Sequence, residues 1–392
     1  MTNESLGEPD GDGFVVDRRF EAVTALARKS ALAAGGGALC VYHDGVPVVD
    51  VWAGLRDPSG GMPWERDTMA MSWSTTKGIT STVLHMLADR GALDYGTPVA
   101  TYWPEFAVNG KAAVTIRQFM AMEAGLYDVR HLIDDPLELL DHDTMARLLA
   151  ATRPCHEPGR ASAYHAFTYG WIAGELVRRV TGSTLGEFVQ REITDPLGLD
   201  GCFIGTPPDE IHRVAARPAL SSEPRLARSV GKAIDPLTRL VGFSPARFAA
   251  AFLPPGGAAV IPTTEFLAAE VPAINGVFTA RSLARVYAAL GSVDGLDGVR
   301  LWSDHTRRQA TEPQQRRRDL VVPIRTRWRL GYHQPFPTKH TSPSAFGFYG
   351  AYGSGGYADP DRHLAVGFVV QHAKGLPLTK LARTINAAID NR

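Results

Sequence analysis

Ser74-Thr75-Thr76-Lys77 sets an alcohol and an amine three residues apart, at the start of a stretch whose apolar residues recur at helical spacing. Residues three apart on a helix share a face, so the amine can reach the hydroxyl across one turn. A serine hydroxyl is a weak nucleophile until a base takes its proton. Lysine is that base only when neutral. With a reference pKa of ~10.4, roughly one lysine in 2,500 is neutral at pH 7, a penalty of about 4.6 kcal/mol. Burial reduces that penalty, so this chemistry requires Lys77 to be buried. A helix start also offers unpaired N–H groups and a positive dipole end to an oxyanion. The tetrapeptide alone is a weak signal: 18 serines and 7 lysines give about 0.3 such matches by chance. A second match, Ser229-Val230-Gly231-Lys232, contains a glycine, lies in an Arg- and Pro-rich stretch and has no apolar period after it. It reads as coincidence.

Two further segments supply what a serine nucleophile lacks. Tyr164-His165-Ala166 follows the Pro158-Gly159 breaker where the chain turns helical. A second acid or base is needed to protonate the leaving group, and a phenol whose pKa is lowered by an adjacent lysine cation can serve. Phe348-Tyr349-Gly350-Ala351-Tyr352-Gly353-Ser354-Gly355-Gly356-Tyr357 is rich in glycine, which in a strand often marks the close approach of a ligand or another backbone. A backbone N–H from this strand, paired with that of Ser74, would form an oxyanion hole. Trp73, beside the nucleophile, and His165, beside the tyrosine, are candidate substrate contacts.

Ser-x-x-Lys, a tyrosine motif about 90 residues later and a glycine-containing strand near the C-terminus resemble the class C β-lactamases, the DD-peptidases and their relatives, the family VIII carboxylesterases. Residues 164–171 (Tyr-His-Ala-Phe-Thr-Tyr-Gly-Trp), Asn275-Gly276 with the Thr279-Ala-Arg-Ser-Leu-Ala-Arg that follows, and Gly353-Ser-Gly-Gly-Tyr-Ala-Asp-Pro360 are similar to the esterase branch. The likeness runs from roughly residue 20 to the end. It implies Ser74 as nucleophile, Lys77 and Tyr164 sharing acid–base work, and the N–H groups of Ser74 and Ala351 as the oxyanion hole, with Tyr352 or Gly353 the alternatives to Ala351. The departures are informative. Ala166 stands where the lactamases and peptidases carry asparagine, and Tyr349-Gly350 stands near their Lys-Thr-Gly. Desolvating a substrate carboxylate without a cation is costly, so aromatic and glycine residues at Tyr349, Gly350 and Tyr352 suit an uncharged acyl ester better. Glu123 replaces a histidine more usual in the relatives.

The elements that must position these groups follow from patterning. Phe20, Val23, Leu26 and Ala27 mark a helix over 18–34. The segments 38–43 and 46–52 flank Asp44-Gly45, a hairpin signal because the turn needs positive φ. Helices are expected over 74–92, 116–123 (capped by the Thr115/Gln118 box), 164–180 and 280–290 (capped by Thr279), and an amphipathic one is traced by Leu378, Leu381, Ala382, Ile385 and Ile389. Residues 363–371 read as a buried strand, and 206–264 as long loops with short helices. Strands cluster at both chain ends with helices between. The expected fold is therefore α/β of the α+β type: an antiparallel sheet built from both termini and flanked by helices, with an inserted, mostly helical lobe. By resemblance this is the β-lactamase/transpeptidase-like architecture. The division expected is a discontinuous α/β domain, 1–92 with 265–392, around a helical domain, 93–264.

Composition narrows the alternatives. The chain has 392 residues, 44% of them hydrophobic, and 41 basic against 41 acidic side chains. Such neutrality gives no general attraction to nucleic acid or anionic lipid, and no apolar run is long enough to span a membrane. The acidic N-terminus lacks an apolar signal region, which makes the cytoplasm the expected location. Cys40, Cys155 and Cys202 fit neither a disulfide framework nor a zinc site, and no His-x-x-x-His pair occurs. An α/β-hydrolase would need Gly-x-Ser-x-Gly, and Tyr352 occupies the first glycine position before Ser354. The Arg316-Arg317-Arg318 run reads as a solvated face. The expectation is a serine carboxylesterase of short-acyl esters working through an acyl-enzyme, without metal or cofactor. An acyltransferase or weak β-lactamase, or an inactive ligand-binding relative, are the alternatives, and homo-oligomer formation is left open.

Overall fold

The computed structural model describes residues 13–15, 17–217, 220, 243–314, 318–322, 326–335, 341–371 and 378–390. Its main sheet is antiparallel and drawn from both ends of the chain. The strands are β1 (Gly13–Val15), β2 (Gly36–His43), β3 (Val46–Asp57) and β4 (Met62–Pro63) from the first part, and β8 (Phe346–Tyr349), β9 (Gly355–Asp359) and β10 (Leu364–Val370) from the last. They lie in the order β1-β3-β2-β10-β9-β8, with β4 alongside β3. Asp44 and Gly45 turn the β2–β3 hairpin with φ of 51° and 78°, the left-handed pair that an Asp-Gly turn supplies. Every residue of β10 is buried, because it runs between β2 and β9 and is covered on both faces.

On one face, α1 (Glu21–Ala33) and the C-terminal helix Leu378–Asp390 close a core around Val23, Val41, Val51, Val366, Phe368 and Ile385. On the other lies Ala280–Gly291, capped by Thr279 as expected. A Cβ on Gly367 would stand 2.3 Å from the Ala280 carbonyl oxygen and 2.5 Å from the Ala284 nitrogen, so this glycine lets the helix backbone rest directly on the sheet. A second sheet, β5 (Ala70–Met71), β7 (Val277–Phe278) and β6 (Cys202–Phe203) in that order, takes one strand each from the first, last and middle parts of the chain. Helices dominate the described part of 93–264, including Ile116–Met120 with its Thr115/Gln118 capping box, His142–Ala151 and Thr168–Thr181. One contiguous apolar cluster runs through both expected lobes. Among the described residues, no helix is long and apolar enough to cross a membrane.

Helix α2 (Thr76–Asp89) departs from the amphipathic reading in an instructive way. The apolar side of Ile79, Val83, Leu84 and Leu87 is buried, but so are Thr80, Ser81, Thr82 and His85. Their polar atoms are met from distant parts of the chain: Thr80 Oγ1 donates to the Pro272 carbonyl at 2.5 Å, Ser81 pairs with Tyr169 Oη at 2.7 Å and Thr82 with Tyr332 Oη at 2.8 Å. His85 bonds Tyr95 Oη and the Leu330 carbonyl, and burial drives its pKa down to about 4. The helix is thus the central post of the molecule, not a surface element.

Candidate active site

Helix α2 begins two residues later than the sequence suggests. Trp73–Thr75 forms a 3₁₀ turn, and Trp73 has φ of 51°, a left-handed backbone that a non-glycine residue adopts at a cost of roughly 1–3 kcal/mol. The kink is held from three directions. Ser72 N–H donates to Gly276 O at 2.8 Å, Gly276 N–H donates to Thr76 Oγ1 at 2.9 Å, and Thr76 Oγ1 donates to Trp73 O at 2.5 Å. Ser74, 8% exposed, is presented at the tip of this turn.

Lys77 is fully buried. Its Nζ lies 2.6 Å from the Ala166 carbonyl oxygen, 3.0 Å from that of Ala273 and 3.3 Å from Ser74 Oγ. Desolvation holds its pKa well below the ordinary lysine range. A neutral amine has two N–H bonds and one lone pair. In that form the two carbonyls can take the two hydrogens, leaving the lone pair for the Ser74 hydroxyl proton. Lys111 provides the contrast: its Nζ meets three carbonyls, of Val108, Ala150 and Thr152, at 3.0, 2.9 and 2.5 Å, a set that suits three ammonium hydrogens. Burial moves Lys111 down only to about 8.

Tyr164 sits four residues before the helix Thr168–Thr181, not within it, and its Oη donates to Ser74 Oγ at 2.6 Å. Its ring is stacked on Trp328 (centroids 5.4 Å apart, planes 12°) and packed against Phe252 at 5.5 Å. Burial raises the phenol above its ordinary pKa of 10, with the Ser74 bond a smaller opposing effect. The same burial disfavours the lysine cation expected to lower it. The raised pKa favours the protonated phenol, the form that donates to Ser74 Oγ.

The serine opens onto a cavity of about 420 Å³. Its walls are largely apolar, with Phe167, Phe248, Phe252, Ile261 and Ile274 prominent, and Arg130 is the one charged residue among its described lining. Trp73 and Tyr352 stack on each other at 4.8 Å beside it, and Ala351 borders it too. The chain matches the Beta-lactamase family over residues 17–390. It is 41% identical to the esterase/beta-lactamase LipL of Mycobacterium tuberculosis over 342 residues, which are 86% of this chain and 76% of the relative. A penicillin-binding protein homologue from Caulobacter crescentus superposes with a TM-score of 0.82 at 34% identity, covering 96% of this chain and 98% of the other. A family VIII carboxylesterase gives a TM-score of 0.82 at 32% identity, covering 94% and 98%. The chain belongs to the Beta-lactamase family.

For a Beta-lactamase family member the remaining expected residues divide cleanly. His165 does not line the cavity: Nδ1 is 2.7 Å from the Ala163 carbonyl, Nε2 accepts the Leu126 N–H at 3.0 Å, and burial drives its pKa to about 3. It is a tie between two backbone segments, which removes the reason to read it as a substrate contact. Tyr349 also points away, its ring against Phe368 and Tyr357 on the sheet. Gly350 acts through its missing side chain. A Cβ there would meet Ser72 O at 2.2 Å and Thr75 Oγ1 and Trp73 Cβ at 3.1 Å, so only glycine lets the end of β8 close onto the Ser74 turn. Gly350→Ala is expected to lower kcat for a nitrophenyl ester by roughly 10–100-fold with little change in KM, since a displacement near 1 Å at the site has that effect. Steady-state kinetics beside a melting curve checks it.

Sequence reasoning missed Asp319, Trp328, Phe252 and Arg130, and the carbonyls of Ala166 and Ala273. No spacing ties any of them to Ser74; the fold alone gathers them. Of the arginine run, Arg318 is exposed, while Arg316, Arg317 and the Ser229–Lys232 match lie outside the described residues.

Proposed function

We propose that the protein is a serine carboxylesterase that cleaves short-acyl, uncharged esters through an acyl-enzyme on Ser74. One observation carries this reading: Ser74 Oγ lies between a carbonyl-bound amine, Lys77, and a phenol that donates to it, Tyr164, at the floor of an apolar cavity. As Oγ bonds to the ester carbonyl carbon, its proton passes to Lys77 and the carbonyl electron pair moves to oxygen. The N–H groups of Ser74 and Ala351 receive that oxyanion, a role supported by both residues bordering the cavity. Collapse breaks the bond to the alkoxide, which takes the Tyr164 proton, and the Lys77 ammonium restores it. Water then repeats the sequence on the acyl-enzyme, and Ser74 regains its proton as the acid leaves. Apolar walls offer an alkyl acyl group contact and an ionised one little compensation.

The M. tuberculosis relative is named an esterase/beta-lactamase, and one cationic residue, Arg130, borders the cavity. That favours β-lactam turnover as a second, weaker activity. With the purified protein, kcat/KM for p-nitrophenyl butyrate is expected to exceed that for nitrocefin by at least roughly 100-fold, some 3 kcal/mol of transition-state preference. Comparable values for both would replace the esterase reading with a β-lactamase one. Adding an alcohol or amine acceptor to the same assay distinguishes hydrolysis from acyl transfer.

A further inference from the structure

Tyr164 is held by its backbone and by its ring, and both holds lead to the same carboxylate. Asp319 is 2% exposed. Its Oδ1 accepts the Tyr164 N–H at 3.1 Å together with the N–H groups of Val321 (2.8 Å) and Val322 (3.0 Å). Its Oδ2 accepts Trp328 Nε1–H at 3.0 Å. Trp328, equally buried, lies nearly parallel to the Tyr164 ring, and Leu320 N–H donates to Ser162 O at 2.9 Å, tying the two segments together a second time. A carboxylate withdrawn from water and bonded to four neutral N–H groups is an expensive device for a surface loop. It is intelligible where an angle must be fixed. A rotation of Tyr164 by a few degrees would carry its Oη off the 2.6 Å contact with Ser74 Oγ.

We propose that Asp319 and Trp328 form a clamp that sets the Tyr164 hydroxyl for proton delivery, making Asp319 a positioning residue of the reaction. The inference deepens the acyl-enzyme reading above and rests on it. Asp319 acts on the backbone end of Tyr164 and Trp328 on the face of its ring. Burial, and to a smaller extent the Asp319 charge, disfavours the phenolate.

The test is a double-mutant cycle on p-nitrophenyl butyrate hydrolysis with Asp319→Asn and Tyr164→Phe. Asparagine keeps the shape but turns one acceptor oxygen into a donor facing N–H groups. In the wild-type background Asp319→Asn is expected to lower kcat by roughly 10–100-fold with KM within about twofold, as misplacement of a catalytic group does. In the Tyr164→Phe background the same change is expected to cost less than about threefold, because the group it positions is gone. Removing the charge is also expected to shift the alkaline limb of kcat to lower pH, which a merely structural role would not do. Equal factors in both backgrounds, or a loss confined to KM, overturn the clamp. If Asp319→Asn does not fold, Trp328→Phe, which retains a ring but withdraws the Nε1–H from Asp319, enters the same cycle and is judged by the same two criteria. Hydrolysis that Ser74→Ala leaves intact would instead remove the parent reading, so the two failures are distinguishable.

Discussion

Ser74→Ala is expected to reduce p-nitrophenyl acetate and butyrate hydrolysis to background, a fall in kcat of roughly 10⁴-fold or more, while Ser229→Ala retains wild-type rates. The size of the effect follows from the mechanism. In the proposed mechanism the Ser74 oxygen is the atom that becomes acylated, and neither the amine nor the phenol beside it takes that place from 3.3 and 2.6 Å away. What survives its loss is the stabilisation of the oxyanion and the binding of the ester, which act on water as nucleophile only feebly. A fluorophosphonate probe should label the wild-type protein and Ser229→Ala and leave Ser74→Ala unlabelled. Because the change removes one oxygen from a buried turn, the melting temperature should move by only a few degrees. Full activity in Ser74→Ala, with loss in Ser229→Ala, would transfer the nucleophile to the second Ser-x-x-Lys match.

The skeleton of this arrangement was legible because it is local. The Asp44-Gly45 turn, the apolar run at 364–370 and the caps at Thr115 and Thr279 each depend on neighbours in sequence, and each forms where the residues indicate. The Ser74–Lys77 pairing is local for the same reason, and even there the detail slipped: Ser74 and Thr75 fall in a 3₁₀ turn flanked by Ser72 and Thr76, both bonded to Gly276, and the α-helix starts only at Thr76. What could not be read depends on partners far along the chain. The buried polar side of α2 is satisfied by Tyr169, Pro272, Leu330 and Tyr332, and the amine by carbonyls at 166 and 273, so no periodicity in 74–92 reveals them. His165 illustrates the opposite error. Adjacency to a catalytic candidate suggests function, but alternate residues of an extended segment face opposite sides, and the side away from the cavity is where its ring found two backbone partners.

Replacing Lys77 separates base catalysis from mere charge, and the two readings predict different arginine variants. If the amine takes the Ser74 proton, Lys77→Arg should be nearly as inactive as Lys77→Met, each losing roughly 10³–10⁴-fold in kcat, because guanidinium stays protonated and cannot accept. If the residue acted only as a cation, arginine would retain most activity, and the base assignment would fall. The pH dependence carries the same logic. Burial lowers the Lys77 pKa well below 10.5, so the active, neutral form should be present above that lowered value and lost as pH falls through it, giving kcat/KM an acid limb. Stability should follow with a defined sign. Between the lowered folded value and the unfolded ~10.4, the unfolded chain binds the extra proton, so folding becomes more favourable as pH rises across that window. Lys111, shifted in the same direction to about 8, contributes a slope of the same sign. Denaturation of wild type and Lys77→Met at successive pH values cancels that shared part. The difference should narrow the variant's slope, and identical slopes would mean that Lys77 titrates in the folded protein as it does in water, leaving Ser74 without its base.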